Sequence, residues 1–129
     1  MTKAANPNTT CTLQLYENNQ KTGEDNFKAA VTEAVEESLT SFRNLDKQAL
    51  YFHLENAFKI KKEEIPNHIE DFADAIEYMF GVGAKLLEIR IIEALHNRIH
   101  EFTFVPKKGD VIFKEYTTSL RAFLRQTVG

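Results

Sequence analysis

The chain of 129 residues carries 16 basic and 19 acidic side chains, a net charge of −3, with 43% hydrophobic residues, one cysteine and no tryptophan, which fits a single globular domain with a polar tail. No apolar run reaches the ~18 residues of a membrane span, and Met1 to Asn8 lack the apolar core of a secretory signal, so the expected location is the cytoplasm. Cys11 alone can close no intramolecular disulfide and build no thiolate zinc site, which leaves stability to a packed core.

The charge is unevenly spread. Residues 1–23 carry +1, residues 24–95 carry eight basic against fifteen acidic side chains, and residues 96–129 carry six against three. An acidic body of −7 disfavours wrapping a phosphate backbone, whose binders concentrate Lys and Arg on the folded face. Nucleic acid is therefore disfavoured as a partner. The basic end at +3 keeps that option through Lys107, Lys108, Lys114, Arg121 and Arg125. Most of these charges read as solvated helix faces; opposite ends can also attract, between chains or toward a partner.

Residues 1–25 are rich in Asn, Thr, Gln and Lys without helical period and read as a flexible or extended arm. Within it Cys11, Leu13 and Leu15 alternate as in a short strand. From Phe27 the period becomes helical: Phe27, Val31, Ala34, Val35, Ser38, Leu39 and Phe42 form one stripe, with Asp25 and Asn26 as candidate caps. Asp46 caps a second helix to about Phe58, striped by Leu50, Leu54, Ala57 and Phe58 and widened by Tyr51 and Phe52, which predicts a position central to the core. Ile60 to Pro66 is a connector anchored by Ile60 and Ile65.

A third helix from Asn67 or His68 carries Ile69, Phe72, Ala73, Ile76, Met79 and Phe80, and Gly81-Val82-Gly83 ends it in a tight turn. The fourth, about Ala84 to His100, is apolar on more than one face, as expected of a central helix or of half a dimer interface through Ile89, Ile92, Leu95 and Ile99. Phe102 to Val105 reads as extended. Beyond the Pro106 to Asp110 turn, either Val111-Ile112-Phe113 returns as a strand or Asp110 caps a last helix with Ile112, Phe113, Tyr116, Leu120, Phe123 and Leu124; the length of that stripe favours the helix. The expected architecture is all-α, a compact bundle of about five helices over residues 26–129 behind the arm.

No residue set nominates catalysis. His96 and His100 are four apart, with Glu93 one turn earlier, but the zinc-protease pattern needs Glu at Asn97 and a diiron site needs a second Glu-x-x-His. They read as surface histidines with, beyond that, only a weak metal site. Gly81-Val82-Gly83-Ala84-Lys85 could hold an anion at a helix start, but its spacing is not that of a Walker loop, and a packed turn explains it without a ligand. Glu63, Glu64, Glu70, Asp71, Asp74 and Glu77 make an acidic patch that lacks the pattern of a calcium loop. His53 among Tyr51 and Phe52 reads first as a half-buried histidine and second as a pocket residue.

Leu50 to Ile99 resembles a known family. The segment Ala49 to Glu55, the connector Ile60-Lys61-Lys62-Glu63-Glu64-Ile65-Pro66, and Phe72 through Phe80-Gly81-Val82-Gly83-Ala84-Lys85 to Glu88 and Ile92 are similar to the small archaeal Nitrosopumilus output domain family. The resemblance implies a helical output or sensory domain, stand-alone or attached to signalling modules, with an archaeal origin and no catalytic residue to carry over. The leading expectation is thus a non-enzymatic, cofactor-free interaction module, homo-oligomeric or bound to another protein. The alternative is a small-molecule sensor with a pocket between the second and fourth helices lined by Tyr51, His53, Gly83 and Lys85.

Overall fold

Apolar residues at three- and four-residue steps dictate helices along this chain, and capping groups set where each begins. The computed structural model describes residues 22–102 and 113–128. In it five α-helices follow in order: α1 Gly23–Thr40, α2 Lys47–Phe58, α3 Ile69–Phe80, α4 Ala84–Arg98 and α5 Phe113–Val128, with 3-10 turns at Lys62–Asn67 and Gly81–Gly83. The all-α expectation holds, with no strand among the described residues. Lys107, Lys108, Asp110, Ile112, most of the segment between α4 and α5, and the alternating Cys11 to Tyr16 stretch lie outside the described residues.

The first helix starts earlier than its apolar stripe suggests. Thr22, not Asp25 or Asn26, is the cap: its hydroxyl accepts from the Asp25 N–H at 3.1 Å, and the Asp25 carboxylate accepts from the Thr22 N–H at 3.3 Å. This reciprocal box satisfies two donors that the first turn would otherwise leave free. The first helix therefore begins at Gly23, inside the stretch read as the arm. Gly23 follows because α1 and α5 meet main chain to main chain: a Cβ there would overlap the Leu124 carbonyl and crowd Arg125 Cα.

The α1 helix is the centre of the bundle. Phe27, Val31, Val35 and Leu39 are buried along it, and it packs on α4, α5 and the Lys62–Asn67 turn. Each such side chain contributes roughly 2 kcal/mol of burial before conformational entropy is set against it. The α2 helix, expected there on its aromatic content, is peripheral instead. It buries Leu50, Tyr51 and Leu54, whereas Phe52 is 70% exposed and Ala57 is exposed. Its end shows why: Phe58 meets His53 and Tyr78 edge to face, at 5.7 and 5.8 Å, forming an aromatic cluster on the flank of the core.

Ile60 and Ile65 are buried as expected, although their segment winds into a 3-10 turn that includes Pro66. The fifth helix takes the course favoured by its stripe, with Phe113, Tyr116, Leu120 and Leu124 buried; Phe113 is helical, and Val111 and Ile112 lie outside the described residues. At the α3–α4 turn only Gly81 needs its freedom, since its φ is +59°. Gly83 has helical geometry, and a Cβ there would make an ordinary 3.8 Å contact with Phe80, so close approach does not require it.

Candidate interaction surface

The α4 helix has one face turned to the core and one left open. Ala84, Leu87, Ile91, Ala94 and Leu95 are buried. On the outer face Leu86 and Ile89 are 49% and 39% exposed, and Val82, in the 3-10 turn just before the helix, is 98% exposed. Leu86 and Ile89 are three positions apart on one face of the helix, and Val82 in the preceding turn adds a third exposed apolar side chain. Phe80, also exposed, stands at its head. Phe80 and Gly83 lead into an apolar groove of about 340 Å³ whose other walls include Leu39, Phe42, Leu45 and Leu87. The Arg90 guanidinium stacks 5.0 Å from the ring of Phe42, one of the groove's walls, and donates to the Ser41 hydroxyl at 2.8 Å.

Beside the stripe, Glu77, Gly81, Val82, Ala84, Lys85 and Glu88 line a second depression of about 470 Å³. Glu88 occupies a core-facing position and is only 8% exposed, with one carboxylate oxygen buried and without a hydrogen-bond partner. Burial, reinforced by the neighbouring Glu77 charge, pushes its carboxyl above the ordinary range, with Lys85 opposing. Glu88 was missed from the sequence as a distinctive residue. The available signal was a carboxylate in register with Ala84, Ile91 and Leu95 on a stripe that is otherwise apolar.

Of the residues expected to line a ligand pocket, the structure does not make one cavity. Gly83 lines the apolar groove and Lys85 the acidic depression. Tyr51 is tied to α1, its hydroxyl donating to Glu36 at 2.9 Å, where Lys47 and Lys62 also bind that carboxylate. These cations and the hydroxyl hold Glu36 down to about 2, while burial and the same carboxylate raise the Tyr51 phenol. His53 is exposed rather than half-buried. Among the expected interface residues, Ile89 is exposed, Ile92 and Ile99 are partly buried against the core, and Leu95 belongs wholly to it. His96 and His100 place their rings 6.4 Å apart, and no group of three or more metal-ligating side chains occurs among the described residues.

The segregated charge is used within the chain. Glu24 sits between Arg121 and Arg125, accepting at 3.0 Å from Nε of Arg121 and at 3.0 Å from Nη2 of Arg125. This fork holds the Glu24 carboxyl down to about 2. Lys114 binds Asp74 at 2.9 Å, and Arg98 binds Glu33 and Glu37. A cleft of about 530 Å³ next to the fork runs between the start of α3 and the middle of α5. The basic end therefore meets the acidic body inside one molecule, and three of the five cations considered for nucleic acid are already paired.

Fold and surface together define a small all-helical domain that exposes apolar side chains at Val82, Leu86 and Ile89; no helix among the described residues is long and apolar enough to cross a membrane. No family model, no curated protein and no solved structure matches the chain.

Proposed function

We propose that the chain is a non-enzymatic helical interaction module, an output-type domain of archaeal cytoplasmic signalling or regulation, that pairs with a second copy through the outer face of α4. The observation that carries this reading is the exposed run Val82, Leu86 and Ile89, which costs solvation free energy until another surface covers it. The resemblance of Leu50 to Ile99 to the archaeal output domains supports the signalling context. Light scattering on the purified full chain across a concentration series tests the pairing. The expected result is a rise toward twice the chain mass, abolished by Leu86→Asp with an unchanged circular dichroism spectrum. A strict monomer at the highest concentration overturns it.

A second reading rests on the 340 Å³ groove walled by Leu39, Phe42, Phe80 and Leu87. There a small apolar molecule would bind between the end of α1 and the α3–α4 turn, in a position different from the pocket expected from Tyr51 and His53. A thermal-shift screen with apolar metabolites tests it: a concentration-dependent rise in melting temperature that Leu87→Trp removes supports the groove, and no rise for any of them eliminates it.

A further inference from the structure

The outer face of α4 has a symmetry that bears on how two copies would meet. Around Ile89 on α4 the residues three positions either side are Leu86, half exposed, and Ile92, partly buried against the core, and those four positions either side are Lys85 and Glu93. The pattern thus reads the same in both directions around Ile89, with the sign of the charge inverted. Lys85, Ile89 and Glu93 lie at four-residue steps on one side of the helix and all three are exposed. Neither Lys85 nor Glu93 forms a hydrogen bond or ion pair among the described residues, unlike Lys114, Arg121 and Arg125, which are all paired.

In a two-fold contact the same patch appears on both partners, so residue i meeting residue j requires j to meet i. Two antiparallel helices related by an axis through one residue bring into register the positions equally far before and after it. We infer that two copies of this chain pair through antiparallel α4 helices with the two-fold axis at Ile89. Ile89 meets its own counterpart, Leu86 meets Ile92 of the other copy, and Lys85 meets Glu93 twice, once on each side. A parallel pairing would set Lys85 against Lys85 and Glu93 against Glu93, which the like charges oppose. Antiparallel helices also oppose their dipoles favourably. The exposed ion pairs contribute little affinity, so their role is orientation and register, while the apolar row drives association. The row is short, and the pairing is correspondingly concentration-dependent.

This arrangement rests on the self-association proposed above, and the experiment separates the two. In a full-length Cys11→Ser background, Ile89→Cys is expected to form an intermolecular disulfide on mild oxidation. Leu86→Cys and Ile92→Cys are expected to cross-link only when the two variants are mixed. Leu86→Cys cross-linking alone, or Ile89→Cys failing to cross-link while light scattering still shows dimers, overturns the antiparallel register and leaves self-association standing. A monomer at every concentration removes both. Charge reversal gives an independent readout that folding defects do not imitate: Lys85→Glu and Glu93→Lys each weaken dimerisation, by roughly fivefold at low salt, and the double variant restores it. A double variant weaker than either single one overturns the Lys85–Glu93 pairing.

Discussion

The seam between α1 and α5 and the outer side of the α3–α4 turn contain similar residue types in opposite states of satisfaction. Along the seam Gly23 admits the Leu124 backbone, Phe27 is buried beneath the Arg121 guanidinium at 5.0 Å, and Glu24 is held by two arginines. Across the turn Val82 is 98% exposed, Lys85 and Glu93 form no hydrogen bond or ion pair among the described residues although Lys85 acts on the Glu88 carboxyl, and Glu88 is buried with an oxygen unsatisfied. The seam closes the fold, and its groups find their partners inside the chain. The turn and α4 leave groups over. An uncovered apolar row opposes the stability of an isolated domain, so its presence points outward.

Substitutions at each region sharpen that contrast, and the seam carries the largest effects. Phe27→Ala removes a fully buried ring from the central helix and is expected to cost about 3–5 kcal/mol in urea denaturation. Gly23→Ala forces the α1 and α5 backbones apart and is expected to cost about 1–3 kcal/mol, with the midpoint falling and the slope unchanged. A seam that tolerates Gly23→Ala without loss would mean that the helices do not approach as described.

Glu24→Gln tests the fork. Because the folded carboxyl lies near 2 against an ordinary 4.5, its contribution is complete above about 4.5 and is lost as pH falls toward 2. The side chain is partly exposed, so solvent screening limits the expected cost at pH 7 to about 1 kcal/mol, vanishing near pH 2. Stability measured by thermal melts at the two pH values checks it.

Glu88 runs the other way. Its carboxyl is raised, so the folded state gains relative stability as pH falls and pays for ionisation as pH rises through the folded value. Glu88→Gln is accordingly expected to leave stability at pH 7 equal or higher and to flatten that part of the pH profile. A loss of stability at pH 7 would mean that the ionised carboxylate has a stabilising partner.

Leu86→Asp is expected to change unfolding free energy by less than about 0.5 kcal/mol while it alters association, because the side chain is half exposed in the single chain. A large loss of stability would return Leu86 to the core of its own molecule and remove the contrast.

Much of this was legible from spacing. The stripe from Phe27 to Leu39 names the buried face of α1, Asp46 caps α2 through the Ala49 N–H, and the stripe from Phe113 to Leu124 separates helix from hairpin. Those features depend on local periodicity and on one side chain reaching its own first turn, which a linear order of residues contains. The position of the cap at Thr22 was also present, as a threonine with an acidic residue three positions on, but the apolar stripe starting at Phe27 pointed later.

What periodicity could not distribute was which of two apolar faces is covered. Tyr51 and Phe52 are adjacent and equally aromatic, yet one is buried and hydrogen-bonded to Glu36 while the other faces solvent. Leu95 and Ile89 stand on the same helix, one in the core and one outside it. The sequence by itself determined the helices, the Asp46 cap of α2 and the imbalance between an acidic body and a basic end. Only the tertiary structure decided that α1 rather than α2 is central, that Glu24 and Asp74 take up the cations of α5, and that Val82, Leu86 and Ile89 remain uncovered. The reason is physical: helix formation is governed by neighbours within a turn, whereas burial and ion pairing are fixed by residues as far apart as Glu24 and Arg125, which only folding brings together.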